Sequence, residues 1–149
     1  MSKNAIGKSP PLSAADYGRS LKGIGFNLLV RNVGRAVTFA TEVLEASCLY
    51  DDEDFAMMKL AGGDFMFHSD RTYRDNALFG LVQGLEGRGA GVELRVYAVD
   101  PDAAEARARA GGWTVLAGSI DKPHGLRECI ILDDEGYAWL PGRAIAGNG

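Results

Sequence analysis

From Gly23 to Arg31 the chain alternates, with Ile24, Phe26, Leu28 and Val30 separated by Gly25, Asn27, Leu29 and Arg31. That period of two predicts a β-strand with two unlike faces. Beyond Asn32 the period lengthens. Val33, Ala36, Val37, Ala40, Val43 and Leu44 recur at steps of three and four, which places them on one stripe of a helix begun by Asn32 or Gly34. Three apolar stretches follow, 47–50, 55–60 and 65–68, divided by the acidic run 51–54 and by Gly62-Gly63-Asp64, which suits a tight hairpin turn. The predicted order is strand, helix and three strands.

Residues 70–90 hold Gly80, Gly84, Gly87 and Gly89 without a clean period and predict a long connection. The first pattern then returns. Val92, Leu94, Val96 and Ala98 alternate with Glu93, Arg95, Tyr97 and Val99, and Asp100-Pro101 offers a helix cap with proline in the first turn. The Ala-rich helix ends at Gly111-Gly112, where a left-handed cap costs little, and strands are predicted at 113–116, 126–132 and 137–140. Asn27 and Glu93 lie 66 positions apart, as do Gly34 and Asp100, so one offset relates the halves. The expected fold class is α+β: two βαβββ modules, about 23–70 and 91–141, forming a curved mixed sheet around a concave cavity in a single domain over 23–141. Residues 1–22, with Pro10-Pro11 and no period, read as a flexible arm, and 142–149 as a tail. Open sheet edges and the arm need cover, so a homodimer is expected.

Length and composition narrow the function. The chain has 149 residues, 46% apolar and 24% charged, which suits one globular domain. Twenty acidic against 16 basic residues give a net charge of −4, so neither nucleic acid nor a membrane surface is an expected partner. The first twenty residues lack the apolar run of a signal peptide or membrane span, and a cytoplasmic location is expected. Cys48 and Cys129 are too few for a disulfide framework and read as reduced, buried side chains. His68 and His124 are the only histidines, so a metal site of three imidazole or thiolate ligands would use nearly every candidate.

Several local patterns fail on context. Gly87-Arg-Gly-Ala-Gly91 precedes a strand instead of joining a strand to a helix, and Gly7-Lys8-Ser9 lacks the earlier glycine and strand of a phosphate loop. Met57, Met58 and Met66 with Phe55, Phe65 and Phe67 read as core or as an apolar pocket lining, and Trp113 and Trp139 as core. The run Asp70, Arg71, Tyr73, Arg74 and Asp75 reads as a solvated loop or as polar contacts at a cavity mouth.

The sequence 27–39, Asn-Leu-Leu-Val-Arg-Asn-Val-Gly-Arg-Ala-Val-Thr-Phe, resembles the first strand and helix of the vicinal oxygen chelate superfamily, and 91–100 resembles the strand that opens its second half. The most specific likeness is C-terminal: Pro123-His-Gly-Leu-Arg-Glu128 followed by Asp133-Asp-Glu-Gly-Tyr-Ala-Trp139 resembles the family's loop, seventh strand and Asp-Pro-x-Gly turn. Asp134 replaces the usual proline there, and His124 stands at an often aromatic position. The superfamily includes glyoxalase I, bleomycin-resistance proteins, fosfomycin-resistance enzymes and extradiol dioxygenases. Its metal-dependent members carry ligands on strands one, four, five and eight, and the resemblance transfers these positions to Asn27, Met66, Glu93 and Leu140. Leu140 has no donor, Met66 is a soft one and Asn27 is uncharged, so no bound cofactor is expected; a divalent metal, if present, falls to Glu93, His68 and Asn27. His68 shares a strand face with Met66 and can take its place in the cavity.

Glu93 and His68 are the candidate catalytic residues, and Asn27, Met66, Arg95, Tyr97, Arg127 and Leu140 the candidate ligand contacts. Glu93 reads equally as a cavity carboxylate or as the partner of Arg95 or Arg127. His124 reads as a surface or lid residue. Two functions follow: a binding module for a small, partly apolar ligand, needing no metal, or a metal-assisted lyase, isomerase or dioxygenase built on Glu93 and His68.

Overall fold

Ser13 starts the first helix, α1 (Ala14–Ser20), by accepting a hydrogen bond from the Asp16 backbone N–H at 3.1 Å. The computed structural model describes residues 10–147, so the part of the expected arm at 1–9, with Gly7-Lys8-Ser9, and the last two tail residues lie outside the described residues. Seven residues cannot hold a helix in water by themselves. What seats α1 is Tyr17, buried and edge-on to Phe55 with ring centroids 6.2 Å apart. Residues 14–20, expected to lie outside the core, therefore contribute to it.

The described chain divides into two compact units: residues up to Thr41 with Ala46–Gln83, and Glu42–Glu45 with the rest of the chain from Gly84. In the first unit β1 (Phe26–Val30), β2 (Ser47–Asp51), β3 (Phe55–Leu60) and β4 (Gly63–Ser69) form a sheet in the order β1-β4-β3-β2. β1 is parallel to β4, and the other neighbours are antiparallel. β2 thus runs parallel to β1 at the opposite edge, and α2 (Val33–Leu44) is the crossover that carries the chain there. Its expected stripe is buried, and so is Phe39, which lies just off it. The matching sheet face is set by the pairs Ala56↔Phe67 and Met58↔Phe65, all buried.

The β3–β4 turn differs from expectation by one step. Leu60 pairs with Gly63, so the loop is Ala61-Gly62, with φ of 53° and 77°, and Gly63 and Asp64 already belong to β4. A two-residue hairpin with both residues left-handed matches the twist of the strands, whereas a Gly62-Gly63-Asp64 loop would shift Phe65 to the other face. The connection after β4 holds a single 3-10 turn, Asp70–Tyr73, and one short helix, α3 (Phe79–Val82).

The second unit repeats the first. β5 (Glu93–Val96), α4 (Pro101–Ala110), β6 (Thr114–Asp121), β7 (Leu126–Leu132) and β8 (Ala138–Ala144) give the strand order β5-β8-β7-β6, the same permutation. Asp100 Oδ2 caps α4 by accepting from the Ala103 N–H at 2.9 Å, and Gly112 is left-handed after the helix. β6 and β8 run longer than predicted, so the tail begins after Ala144, and β5 ends before Tyr97.

The glycine-rich run before β5 has a packing role. Arg88 N–H donates to the Glu135 carbonyl at 3.0 Å, and its guanidinium pairs with the Glu135 carboxylate at 3.5 Å, both side chains buried. A Cβ on Gly89 would lie 2.7 Å from Tyr137 Cα, and one on Gly136, whose φ is 83°, would lie 2.9 Å from Gly87 Cα. Asp133 organises the facing turn: its carboxylate accepts from the Glu135 and Tyr137 N–H groups and from Trp139 Nε1 at 2.9–3.0 Å. Burial nevertheless pushes that carboxyl up to about 6.

Cys48 and Cys129 are unbridged, half-buried and buried respectively, and burial raises both thiols to about 11. Among the described residues no helix is long and apolar enough to cross a membrane.

Two substitutions test these turns. Ala61→Asn should stabilise the protein by about 0.5–1 kcal/mol, because asparagine tolerates the left-handed region that alanine resists. Gly136→Ala should cost roughly 1–3 kcal/mol through strain and collision with Gly87. Urea unfolding midpoints at constant m-value measure both.

Candidate functional site

The face of the first sheet opposite Phe65 and Phe67 carries the chemistry. Direct cross-strand partners share a face, so the pairs Phe55↔His68, Met57↔Met66 and Asn27↔Met66 place these five side chains together, with Tyr50 joining through its pairing with Met57. The segment 10–21 lies over them. Between segment and sheet is a cavity of about 430 Å³ whose walls include Leu12, Tyr17, Tyr50, Phe55, Met66 and His68.

His68 is held by a short chain of hydrogen bonds. Its Nδ1 lies 2.7 Å from Asn27 Oδ1, and Asn27 Nδ2 donates to the Tyr73 hydroxyl at 2.7 Å. With the amide oriented this way, Nδ1 carries the ring proton and Nε2 the lone pair. The Phe55 and Tyr73 rings pack on the imidazole at centroid distances of 4.7 and 5.3 Å. Burial pulls the His68 pKa below its ordinary value, against a weaker pull upward from the Asp52 carboxylate. Asp52 itself is engaged: Oδ2 accepts from the Tyr50 hydroxyl at 2.8 Å, and Oδ1 from the Asp54 and Phe55 N–H groups at 2.8 and 2.9 Å.

The corresponding face of the second sheet is ionic. The pairings Arg95↔Leu140 and Glu128↔Gly142 place Glu93, Arg95, Glu128 and Leu140 on one face. Arg95 Nε donates to Glu93 at 2.9 Å, and Nη1 donates to Glu128 at 2.8 Å. Glu128 is only 5% exposed. Burial would raise its pKa, but the Arg95 and His124 hydrogen bonds outweigh burial and hold the carboxyl below its ordinary value. The His124 contact is long, at 3.4 Å, on a half-exposed ring.

Solved structures that resemble the chain include a glyoxalase/bleomycin resistance protein/dioxygenase from Nocardioides, 18% identical, with TM-score 0.64 over 90% of this chain and 93% of that one. A glyoxalase/bleomycin resistance protein/dioxygenase family enzyme from Burkholderia phytofirmans PsJN is 17% identical, with TM-score 0.66 over 81% and 97%. A glyoxalase-related enzyme from Fulvimarina pelagi is 14% identical, with TM-score 0.66 over 87% and 96%. The fold is that of the vicinal oxygen chelate superfamily. No protein-family model and no curated protein sequence matches the chain.

Within the vicinal oxygen chelate fold, the four positions transferred from the metal-dependent members fall two to each unit. Asn27 and Met66 sit side by side on the first sheet, while Glu93 and Leu140 share a face of the second. His68 shares the Met66 face and meets Asn27 directly. Glu93 takes the ion-paired alternative with Arg95. Leu140 is 2% exposed and buried as core. Two expected ligand contacts are placed elsewhere: Tyr97 lies beyond β5 and is 62% exposed, and Arg127 points from the opposite face of β7 into bidentate contact with Asp102 and a further bond to Asp121. Tyr97 leaves the strand because β5 ends at Val96, and Arg127 is taken because two carboxylates satisfy its fork.

Sequence reasoning missed Tyr17 and Glu128. Tyr17 had a signal in the capping pair Ser13 and Asp16, and Glu128 in its place as an acid within the apolar run 126–132.

His68 should therefore remain neutral at pH 7, with an imidazole NMR titration midpoint below 6.5. A lowered folded-state pKa means that the unfolded chain binds the proton first. The associated stability is complete above 6.5 and declines as pH falls through the window below it. In His68→Gln that part of the decline, read from urea unfolding between pH 7.5 and 5.5, should disappear.

Proposed function

We propose that the chain binds a small, partly apolar molecule in the cavity of the first unit and needs no tightly bound metal to do so. The cavity carries this reading. About 430 Å³ walled by Tyr17, Phe55, Met57 and Met66, with one imidazole presenting a lone pair, has the makeup of a small-molecule site: mostly apolar walls and few polar groups. The resemblance to bleomycin-resistance proteins supports binding without chemistry, as an analogy of fold.

The donor set does not fit a divalent ion. Leu140 has none to give, the Glu93 carboxylate is ion-paired with Arg95 at 2.9 Å, and both ends of the Asn27 amide are engaged. His68 Nε2 alone is a single ligand, and the metal-assisted lyase or dioxygenase reading loses its carboxylate.

Thermal shift against aromatic metabolites, glycopeptide-like antibiotics and thiol adducts should find stabilisers, each adding about 2.7 kcal/mol at a hundred times its dissociation constant. Phe55→Ala should weaken them at least tenfold. A broad panel without a stabiliser, joined to steady glutathione-dependent turnover of methylglyoxal, would reverse the reading. One equivalent of metal per chain, surviving gel filtration and lost in both Glu93→Ala and His68→Ala, would overturn the metal-free part.

A further inference from the structure

Of the seven residues of α1, Tyr17 alone is buried, and the other six are exposed to solvent. The polar contacts of the helix are equally local. Ser13 and Arg19 bond to the Asp16 carboxylate, Ser20 Oγ donates to the Tyr17 carbonyl, and the Leu21 N–H donates to the Gly18 carbonyl. Among the described residues no hydrogen bond or ion pair ties 13–21 to the sheet. One ring therefore holds the helix down, Tyr17 edge-on to Phe55 at 6.2 Å, whereas α2 buries a full stripe. Even that seat is imperfect. The Tyr17 hydroxyl is buried without a hydrogen-bond partner among the described residues, a cost that water would relieve if the ring lifted.

The chain between α1 and β1 can bend. Residues 22–25 are all exposed, Ile24 fully so. Gly23 sits at φ 75° with nothing within 4 Å of the place a Cβ would take, and at Gly25 the nearest atom, the Asp64 carbonyl oxygen, is 3.8 Å from it. Two glycines among four unpacked residues absorb a change of backbone angle at little cost. The cavity lies between this segment and the sheet, with Leu12, Tyr17 and Leu21 on one side and Phe55, Met66 and His68 on the other. A guest that fills it touches both sides, and so gives the docked helix contacts that a lifted helix lacks.

Resting on the binding reading above, we infer that α1 is a hinged strap, latched by the Tyr17 ring on Phe55, which lifts off the sheet about Gly23 and Gly25 to admit the ligand and is held down by the ligand once bound. A helix of this length does not hold in water by itself, so lifting also unwinds it. Opening is a local event that leaves the sheet of β1–β4 paired.

Amide hydrogen exchange of the full chain, followed by NMR with and without N-phenyl-1-naphthylamine, tests this; the probe is uncharged and mostly apolar, and its fluorescence reports its own binding. In the free protein the amides of residues 17–20 should exchange about a hundredfold faster than those of β4, with little dependence on low urea, because local opening exposes little surface. At ten times its dissociation constant the probe should slow both sets by the same factor, about tenfold, since it binds neither the lifted nor the unfolded chain. Tyr17→Ala should strip the helix amides of protection and weaken the probe about tenfold, because the docked state becomes the minor one. Tyr17→Phe, which keeps the ring and removes the unmet hydroxyl, should protect the helix amides at least as well as wild type. Helix amides as slow as those of β4 in the free protein would overturn the inference, since the helix would then open only with the whole unit. Loss of helix protection in Tyr17→Phe would show the hydroxyl to be an anchor and would overturn it as well. A probe that slows β4 and leaves the helix amides unmoved would overturn it while leaving small-molecule binding in place. A probe that slows neither set would overturn it too, and the broader binding reading falls only if the larger panel finds nothing.

Discussion

The alternation of side chains along β4 governs the first unit. β4 lies inside the sheet, between β1 and β3, so each of its residues is committed on both sides by register. Phe65 and Phe67 face the buried side with Ala56 and Met58, and Met66 and His68 consequently face the cavity. A slip of one residue would bury the imidazole in the core and expose two phenylalanines, which the burial of aromatic surface forbids by several kcal/mol. The Ala61-Gly62 turn enforces the same register from the end of the hairpin. Core and site are therefore two faces of one constraint.

A sheet with one face covered by its crossover helix still has an open face, and the two units resolve this differently. The first receives α1, with Tyr17 seated against Phe55, and retains a cavity between them. The second fills its face with an acid-base-acid line, Glu93, Arg95 and Glu128, in which one guanidinium serves two carboxylates. The buried Glu128 needs that guanidinium, since an unpaired carboxylate at that depth would be costly. The arrangement pairs Glu93 with Arg95 along one strand face. Duplicated topology has thus given one face that keeps a mostly apolar cavity and another that carries an ion-paired line of side chains.

The order of the strands and of the two crossover helices was legible from period, because burial on one face writes a period of two or 3.6 directly into the chain, whereas the short helices at 14–20 and 79–82 left no such trace. The repeat was legible as well, through one offset linking Asn27 to Glu93. The packing of the segment before β5 was not: the Gly87–Gly91 run could be denied a nucleotide role by context, but its packing against Gly136 and Tyr137 within the second unit depends on two backbones meeting, which leaves no periodic trace. Asp133 and the turn it organises stood in the motif, whereas its three donors appear only in three dimensions.

Local chemistry thus determined the two βαβββ patterns, the shared face of Met66 and His68, and the weak donor character of Leu140 and Asn27. Which polar groups are spent and which remain available was decided by tertiary structure. Glu93 is paired with a residue two positions away on its own strand face, Arg127 with acids six and 25 positions distant, and His68 is oriented by Asn27, 41 positions away. Tyr17 came from a segment with no periodicity at all and became a wall of the cavity. Hydrogen bonds and ion pairs act over about 3 Å of space and leave no imprint on spacing along the chain, whereas burial acts on every second or third residue and does.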